Sequence, residues 1–455
     1  MNKNTITELG TKNVSSLLFQ YAMPAIIAMT AAAIYHITDG IFIGRGAGGP
    51  LAISGFALTF PFMNLGAAFG TFVGIGAAAL MSLRLGQKDY DAAEKILGNL
   101  IILNIIIGFI FSAVSLIFLE KILFFFGASE QTMPYAKDFM KVTLIGNIIT
   151  HLYFGLNGML RSLGKPTTSM VCTIFTVIIN LILNPLFIFG FKLGIKGSAM
   201  ATVIAQTIVL MWQLTRFVDK KSVVRISRKI FRFNKRIAYD IFSIGLSPFL
   251  MNLAACAIVI LINTTLVKFG GDLAVGAYGI INRIAFLFVL IVMGLNQGMQ
   301  PIAGYNYGAK LYDRVSEVLK KTIIYATIVM CFGFLVVEIF PKSIAAIFTD
   351  SKQHSEEQIK ITIEGLRYVF IFFPIIGFQM VVSTFFQSIG MASKAIILSL
   401  TRQVIFLIPF LLILPRFLEI KGVWISMPLS DFISTIVTAT LLVIHLKKMK
   451  KLNKN

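Results

Sequence analysis

Residues 97–119 read LGNLIILNIIIGFIFSAVSLIFL, a run without a single charged side chain. About 20 such residues are enough to cross the roughly 30 Å hydrocarbon core of a bilayer as a helix. Similar apolar runs recur from one end of the chain to the other. The sequence therefore predicts an all-α polytopic membrane protein of about twelve transmembrane helices. The expected spans are 15–44, 51–81, 97–119, 134–160, 167–190, 195–216, 239–267, 273–300, 318–346, 361–389, 395–416 and 421–446.

The composition excludes a soluble globular protein. Of the 455 residues 57% are hydrophobic and 13% charged, whereas soluble domains contain roughly one quarter charged residues. The polar segment Met1 to Thr11 leads directly into the long first span, so we expect that helix to be retained and not cleaved as a signal peptide. Cys172, Cys256 and Cys331 lie in apolar spans, where a cysteine is ordinarily a small buried hydrophobe. They predict neither a disulfide framework nor a metal site.

The net charge of +21 is distributed unevenly over the loops. The two termini and alternate loops, with the helix ends beside them, hold about two-thirds of the Lys and Arg residues, as the positive-inside rule requires of cytoplasmic segments. This bias predicts that both termini face the cytoplasm and argues against nucleic-acid binding. The most basic segment lies between the sixth and seventh spans and contains Lys220, Lys221, Arg225, Arg228, Lys229, Arg232, Lys235 and Arg236. An amphipathic connector that binds anionic lipid is the alternative interpretation of this segment, at the same surface.

An internal repeat divides the chain into two similar halves. Four short matches occur in order at nearly constant offset: 86–91 with 308–313, 162–164 with 388–390, 195–197 with 420–422, and Pro24 with Pro248. Each half has six expected spans, so the two copies enter the membrane in the same direction and are related by an axis along its normal. We predict an N-lobe at 1–218, a basic connector at 219–238 and a C-lobe at 239–455. A cavity between two such lobes is the plan of an alternating-access transporter.

The most informative polar group within a span is Asp39, because a carboxylate deep in a membrane must be protonated, paired or hydrated. It lies one turn from Tyr35, on a helix that Pro24 weakens or bends. Asn180 and Asn184 share one face of the fifth span. With Thr202 of the next span, these residues form an all-oxygen set suited to a hard monovalent cation or to a proton. The alternative is that the two amides and the hydroxyl only hold helices together.

The second half has fewer ionisable groups within its spans. Arg283 and Asp431 are expected either to form an ion pair that fixes this half or, alternatively, to leave Asp431 free to attract cationic substrate. Adaptable aromatic and Met side chains are expected to line a substrate cavity, although most such residues in any bundle are merely packed. The candidates for the cavity are Tyr35, Phe60, Met63, Asn157, Arg283, Phe378, Met380, Phe385 and Asp431.

These features resemble one known family. Pro24 and Asp39, the Asn180-xxx-Asn184-Pro185 stretch, the half-chain repeat and the loop QGMQPIAGYNYG at 297–308 are similar to the multidrug and toxic compound extrusion (MATE) family. The resemblance covers essentially the whole chain, and the loop is its most specific part. The closest branch is the one with an acidic first helix, which contains the DinF-like and MepA-like transporters.

The resemblance implies a V-shaped pair of six-helix lobes in a bacterial plasma membrane that exports cationic and amphipathic drugs by antiport with H⁺ or Na⁺. In that branch the coupling cation is held by positions that match Asp39, Asn180, Asn184 and Thr202, and Pro24 is the hinge. Many relatives carry a second Asp where this chain has Asn184, which favours protons over tightly bound Na⁺. No catalytic residue, further cofactor or nucleic acid is implied, and the expected partners are small organic cations and the bilayer, with a monomer sufficient for function.

Four other functions fit the sequence less well. A flippase for lipid-linked sugars would need several cationic side chains in its cavity to hold a pyrophosphate, and the sequence offers Arg283 and Arg402 as the candidates within the expected spans, which disfavours this function. A membrane-embedded enzyme or ATP-driven pump would need a nucleophile, metal or phosphate-loop motif, and the sequence has none. A passive channel fits the two-lobe repeat with its buried carboxylate less well than a carrier does.

Overall fold

The fold is entirely helical in the part of the chain that the computed structural model describes, namely residues 3–46, 49–219, 222–348 and 355–452. This confirms the predicted all-α class. Nine of the described helices are long and apolar enough to cross a membrane alone, and two bent helix pairs each form one further span. Lys220 and Lys221 of the basic connector lie outside the described residues.

The first half contains one short helix followed by six membrane spans. Its helices are α1 (Lys3–Thr11), α2 (Val14–Gly46), α3 (Pro50–Gly86), α4 (Tyr90–Ile117), α5 (Leu119–Phe125), α6 (Met133–Ile145), α7 (Asn147–Ser162), α8 (Pro166–Pro185) and α9 (Gly194–Val218). A π-helical turn, Leu186–Gly190, extends α8, and a short 3₁₀ turn, Arg228–Ile230, lies in the connector. The helix α2 runs through Pro24 without interruption.

The second half repeats this order. Its helices are α10 (Lys235–Gly308), α11 (Tyr312–Ile339), α12 (Pro341–Phe348), α13 (Ser355–Phe370), α14 (Phe373–Ser388), α15 (Ala392–Leu400), α16 (Ile408–Ile413) and α17 (Pro415–Leu452). A π-helical segment, Thr401–Leu407, joins α15 to α16. The fourth span is bent in both halves, by 55° between α6 and α7 and by 50° between α13 and α14.

The long helix α10 contains two membrane spans, which brings the eleven of the previous count to twelve. Its 74 residues would extend about 110 Å if straight, several times the thickness of a bilayer core. The chain breaks at Gly271, where φ is 64°, a left-handed conformation that glycine adopts without strain. The break divides α10 into two spans of similar length. The equivalent position in the first half is Gly49, with φ of 67°, between α2 and α3.

The sequence repeat is also a repeat of backbone conformation. Lys88 and Lys310 both have positive φ, at 60° and 59°, although neither is a glycine. Gly164 and Gly390 form a second equivalent pair, with φ of 84° and 77°. Each pair occupies the same loop of its half, so both halves turn between the same spans in the same way. The lobe boundaries at 218 and 239 remain a prediction.

The two halves meet backbone to backbone at one end of the bundle. A methyl group added to Gly86 would collide with the carbonyl oxygen of Tyr305, and one added to Gly308 would collide with that of Leu83. Leu83 and Gly86 are offset from Tyr305 and Gly308 by the period of the repeat. The contact is therefore reciprocal, as expected when an axis along the membrane normal relates two copies.

Hydrogen bonds from the second half also hold the N-terminal segment at this end of the bundle. The Asn306 amide donates to the carbonyl of Leu9 at 2.9 Å, and an Arg314 guanidinium nitrogen donates to that of Lys12 at 2.6 Å. These bonds hold the segment before α2 against the second half. The molecule is thus closed at the end that carries the 82–96 and 304–317 loops, which the charge bias assigns to the cytoplasm.

Candidate functional site

The predicted coupling residues meet where α2 passes α8. Asp39 is buried, with 4% of its surface exposed, and its carboxylate accepts a hydrogen bond from the Asn184 amide nitrogen. Asn184 is fully buried, and its own amide oxygen has no hydrogen-bond partner in the described structure. A buried unpartnered oxygen is unfavourable in an apolar lobe. The arrangement therefore leaves an acceptor available beside the carboxylate.

Asn180, one turn before Asn184 on α8, belongs to the same cluster. In one orientation of its amide group, the Asn180 nitrogen donates to Asp39 Oδ1 at 3.2 Å. The Asn180 oxygen then accepts bonds from the hydroxyl and the backbone N–H of Thr202, at 3.0 and 3.3 Å. This orientation satisfies both ends of the amide, whereas the opposite one sets the amide oxygen against acceptors only. The spacing of four residues on α8 thus brings both amides to Asp39, as the sequence predicted.

Tyr35, which the sequence predicted as a cavity residue, lies in this polar cluster. Its hydroxyl is 2.8 Å from the Thr202 hydroxyl and lies near the Asp39 carboxylate. Three helices, α2, α8 and α9, therefore contribute to one buried polar cluster. On these helices Asp39 is the only carboxylate. The described residues contain no group of three or more His, Cys, Asp or Glu side chains suited to a metal ion.

The ion pair in the second half differs from the predicted one. Asp431 Oδ1 accepts a 2.6 Å hydrogen bond from Arg402 Nε, while Arg283 is exposed. Arg402 lies in the π-helical segment before α16, and Ser430 donates to its carbonyl oxygen at 2.6 Å. Gln379 on α14 donates to the Asp431 carbonyl at 2.5 Å. Arg283 was the wrong partner, because the sequence did not show which of two arginines faces α17.

The other predicted cavity residues do not form one site. Phe385 is fully buried against Phe386 and His445, so this structure does not place it at a cavity wall. Asn157 is bonded to Thr173 on α8 and not to the coupling cluster.

Three further candidates, Phe60, Met63 and Phe378, are partly buried, as is Met380. Phe60 packs against Phe56 at 4.8 Å between ring centroids, and Met63 Sδ lies 3.6 Å from the hydroxyl of Thr59. Their contacts are those of ordinary helix packing, so the structure by itself assigns them no ligand.

Two multidrug export proteins are similar to this chain over nearly its whole length. The multidrug export protein MepA of Staphylococcus haemolyticus is 27% identical over 422 residues, 92% of this chain and 91% of its own. The MepA of Staphylococcus aureus strain MSSA476 is 28% identical over 436 residues, 95% of this chain and 94% of its own.

Solved structures share the fold. The bent conformation of a MATE transporter matches with a TM-score of 0.92 at 23% identity, covering all of both chains. An outward-facing multidrug resistance MATE family transporter of the MOP superfamily matches with a TM-score of 0.90 at 23% identity, covering 98% of both chains. The model of the MatE family matches twice, at residues 24–186 and 246–413, once in each half of the repeat. The chain therefore belongs to the MatE family of multi-pass membrane transporters.

Proposed function

We propose that this protein is a secondary multidrug exporter that moves cationic and amphipathic organic compounds out of a bacterial cell across the plasma membrane, in exchange for a cation. The names of its MepA relatives support drug export as the activity. The observation that supports coupling to an ion is the buried cluster of Asp39, Asn180, Asn184 and Thr202. A structural role alone does not call for a carboxylate inside an apolar lobe.

We propose H⁺ as the coupling ion. The oxygen atoms of the cluster are hard ligands that suit Na⁺ as well, but Asp39 supplies the only negative charge. One proton on Asp39 neutralises the cluster completely and leaves its amides and hydroxyls as hydrogen-bond partners. A Na⁺ ion would depend on neutral oxygens for the rest of its coordination, including the unpartnered oxygen of Asn184.

The fold supports an alternating-access mechanism with Asp39 as its switch. A charged Asp39 favours a state in which water or a cation reaches it, and a neutral Asp39 tolerates closure among apolar helices. The described conformation is closed at the end carrying Gly86 and Gly308. We propose that this end is cytoplasmic, with both termini, and that Pro24 lets α2 bend between the two states. One chain with both lobes suffices for this cycle.

The structure also bears on how substrate is recognised. Because Arg402 neutralises Asp431, the second half offers no free negative charge at that position. We propose that substrates are held mainly by apolar contacts, with Phe60, Met63 and Phe378 among the walls of the cavity between the lobes. Such contacts adapt to varied ligands and favour a broad substrate range.

Transport in proteoliposomes tests this function. Purified protein is reconstituted, a proton gradient or a Na⁺ gradient is imposed separately, and movement of a lipophilic cation such as ethidium is followed by fluorescence. We expect uphill movement with the proton gradient and none with ATP alone. Strict ATP dependence, or no ethidium movement under either gradient, would rule out the proposed antiport. Movement driven by Na⁺ alone would retain the exporter and reject H⁺ as its coupling ion.

A further inference from the structure

The helix α8 carries a polar stripe along one face. Ser169, Thr173, Thr176, Asn180 and Asn184 follow one another at intervals of three or four residues, so they share that face. From Ser169 to Asn184 the stripe extends about 22 Å, most of the hydrocarbon thickness of a bilayer. Its upper end is the Asp39 cluster, and its lower end lies beside the 161–166 loop. The coupling function uses only the last two members.

The lower part of the stripe is joined to α7 by hydrogen bonds. An Arg161 guanidinium nitrogen donates to the Ser169 hydroxyl at 3.0 Å, and that hydroxyl in turn donates to the Asn157 amide oxygen. The Asn157 nitrogen donates to the Thr173 hydroxyl at 3.1 Å. Asn157, a predicted cavity residue, therefore connects two members of the stripe. Ser169 and Asn157 are both buried.

The middle part is completed by a buried phenol. The Thr176 hydroxyl donates to the Tyr153 hydroxyl at 3.2 Å, and Thr173 also reaches it. Above this point the Tyr35 hydroxyl bonds to that of Thr202 and lies near the Asp39 carboxylate. Between Thr176 and the Asp39 cluster the stripe rises about one helical turn, or about 6 Å along the helix axis, and the proposed route needs a water molecule there.

Helix packing alone does not account for this arrangement. A hydrogen bond that joins two membrane helices contributes about 1 kcal/mol, and one or two such bonds are enough to hold a pair of helices together. Here every polar residue on the face of α8 finds a partner on a neighbouring helix, and the series ends at a buried carboxylate. Five of the hydroxyl groups in the series, those of Tyr35, Thr202, Tyr153, Thr176 and Thr173, are able both to accept and to donate a proton.

We propose that this stripe is the route by which the proton leaves Asp39 toward the side of the membrane that carries the 161–166 loop, and that Arg161 closes the route in the described conformation. The inference rests on the proposed proton coupling. The Asp39 carboxyl passes its proton to the first hydroxyl or water, and each following hydroxyl accepts one proton and releases its own. Thr173 gives its proton to water on the side of the 161–166 loop, because the amide of Asn157, which joins Thr173 to Ser169, does not relay protons. Asp39 is left as a carboxylate, and the hydroxyls are unchanged.

Arg161 is suited to closing the route because its charge is fixed. None of the ion pairs among the described residues includes Arg161, which instead donates to Ser169. A guanidinium at the mouth of a polar path repels protons and metal cations, as fixed positive charges do in selective pores. Closure at this end is needed whenever Asp39 is open to the opposite side, since protons would otherwise leak without moving substrate.

The groups around the route are few. The charged and titratable side chains near it are Asp39, Tyr35 and His36 on α2, Tyr153 and Arg161 on α7, Lys165 directly before α8, Cys172 on α8, and Arg216 on α9. The His36 ring lies 4.8 Å from that of Tyr35, and Arg216 lies over the ring of Trp212, 5.0 Å from its centroid. Asp39 thus carries the charge at one end of the stripe, and Arg161 and Lys165 carry the charges at the other.

The first experiment measures proton leak. Proteoliposomes containing a pH dye are given a proton gradient without substrate, and Arg161→Gln is compared with wild type and with Arg161→Lys, which keeps the charge. We expect Arg161→Gln to raise the leak about tenfold, the effect of removing an electrostatic barrier of about 1.4 kcal/mol. Adding Asp39→Asn or Thr173→Val to Arg161→Gln should suppress that leak, because the proton would have to cross the same stripe.

The second experiment does not depend on Arg161. Thr173→Val and Thr176→Val keep side-chain shape but remove a hydroxyl, and each should slow substrate-driven proton movement about tenfold while ethidium binding is kept. Thr207→Val on α9 is the matched control. All three hydroxyls bond to a carbonyl one turn back in their own helix, but in the described structure only Thr173 and Thr176 also bond to a side chain of another helix.

The outcomes separate this inference from the proposed function. If wild type couples to protons but all these variants show wild-type leak and wild-type coupled flux, the stripe is not the route and the exporter stands. A leak in Arg161→Gln that persists in the Asp39→Asn background also overturns the route. If wild type itself moves no protons with ethidium, the proton-coupled function fails before the route is tested, and the proposed route fails with it.

Discussion

Arg402 Nε lies 2.6 Å from Asp431 Oδ1 and joins the π-helical segment of the second half to α17. Asp431 is buried, with 6% of its side chain exposed, whereas one third of the Arg402 side chain is exposed. Removing one member of a buried ion pair leaves the other charge without its partner. The pair is therefore a structural bond of this half, and its loss should be seen first as loss of folded protein.

We predict that Asp431→Asn lowers the amount of folded protein in detergent and its melting temperature, equivalent to a loss of about 3 kcal/mol. Replacing both partners, as in Asp431→Asn with Arg402→Gln, should recover part of the loss. Glu338→Gln is the control, because Glu338 pairs with Arg367 at 3.8 Å and both are exposed. Full stability of Asp431→Asn with weakened export of cations but not of neutral compounds would instead assign Asp431 to substrate binding.

The Arg402 pair shows which part of the site the sequence did not reveal. Asp39, Asn180, Asn184 and Thr202 were predicted together, because the amides are spaced for one helix face and the set matches a known family. The choice between Arg283 and Arg402 depended instead on which residues face α17. The π-helical segment Thr401–Leu407 contains more residues per turn than an α-helix, so an α-helical pattern misplaces its side chains.

The reciprocal contact of Gly86 and Gly308 yields a second prediction. In Gly308→Ala the added methyl would meet the Leu83 carbonyl, which belongs to the backbone and cannot move aside. Overpacking of this kind costs about 1–3 kcal/mol, so the closed state should lose population about tenfold relative to one open at this end. Spin labels on Asp91→Cys and Asp313→Cys would report a longer distance in the variant.

Gly279→Ala is the control for this measurement, because Gly279 has nothing within 4 Å of the added methyl. An unchanged distance distribution in Gly308→Ala, with the protein folded, would mean that this contact does not limit closure.

The fold itself was largely predictable, and its differences from the prediction have local causes. The twelve spans follow from apolar length, and the structure confirms the helical class. The bend of 55° in the fourth span was not predicted, because no proline marks it. It occurs at Gly146, whose close approach to the Val203 side chain leaves no room for a larger residue. Such a contact with another helix is invisible in the local sequence.

The orientation in the membrane is the third prediction. The excess of Lys and Arg predicts that the connector faces the cytoplasm, so Lys229→Cys should resist an impermeant thiol reagent applied to intact cells and react after permeabilisation. Lys121→Cys, on the short helix α5 between the third and fourth spans, is expected on the opposite side, should react in intact cells and serves as the control. Labelling of the wild type corrects for Cys172, Cys256 and Cys331. Ready labelling of Lys229→Cys in intact cells would reverse the assigned orientation.

The fourth prediction concerns the choice of coupling ion. Asn184→Asp places a second carboxylate in hydrogen-bond range of Asp39, and two adjacent negative charges are relieved by a bound cation. We expect Na⁺ to bind about tenfold more tightly and to drive ethidium transport in the variant at constant pH. Asn13→Asp is the control, because this residue caps α2 by accepting the Ser15 N–H, and Asp does so equally well. Na⁺-independent transport by Asn184→Asp would show that charge number does not select the ion.

The last prediction is that Asp39 couples the ion gradient to export. A ligand shifts an equilibrium only if it binds the two states with different affinity, and Asp39 supplies that difference through its charge. Asp39→Asn keeps a polar group that Asn180 and Asn184 can still contact, and a neutral amide is buried more easily than a carboxylate. The variant should therefore fold, reach the membrane and bind ethidium, yet fail to concentrate it against a gradient.

Asp91→Asn provides the matched control for Asp39→Asn, because Asp91 is exposed and pairs with Lys95 one turn away on α4. Its gradient-driven export should equal that of wild type, since exposed pairs of this kind contribute roughly 0.5 kcal/mol or less. Downhill ethidium movement by Asp39→Asn at a wild-type rate, together with loss of uphill movement, would isolate the defect to coupling. Normal uphill export by a well-expressed Asp39→Asn variant would show that the coupling carboxylate lies elsewhere, with Asp431 the next to test because it is the buried carboxylate of the second half.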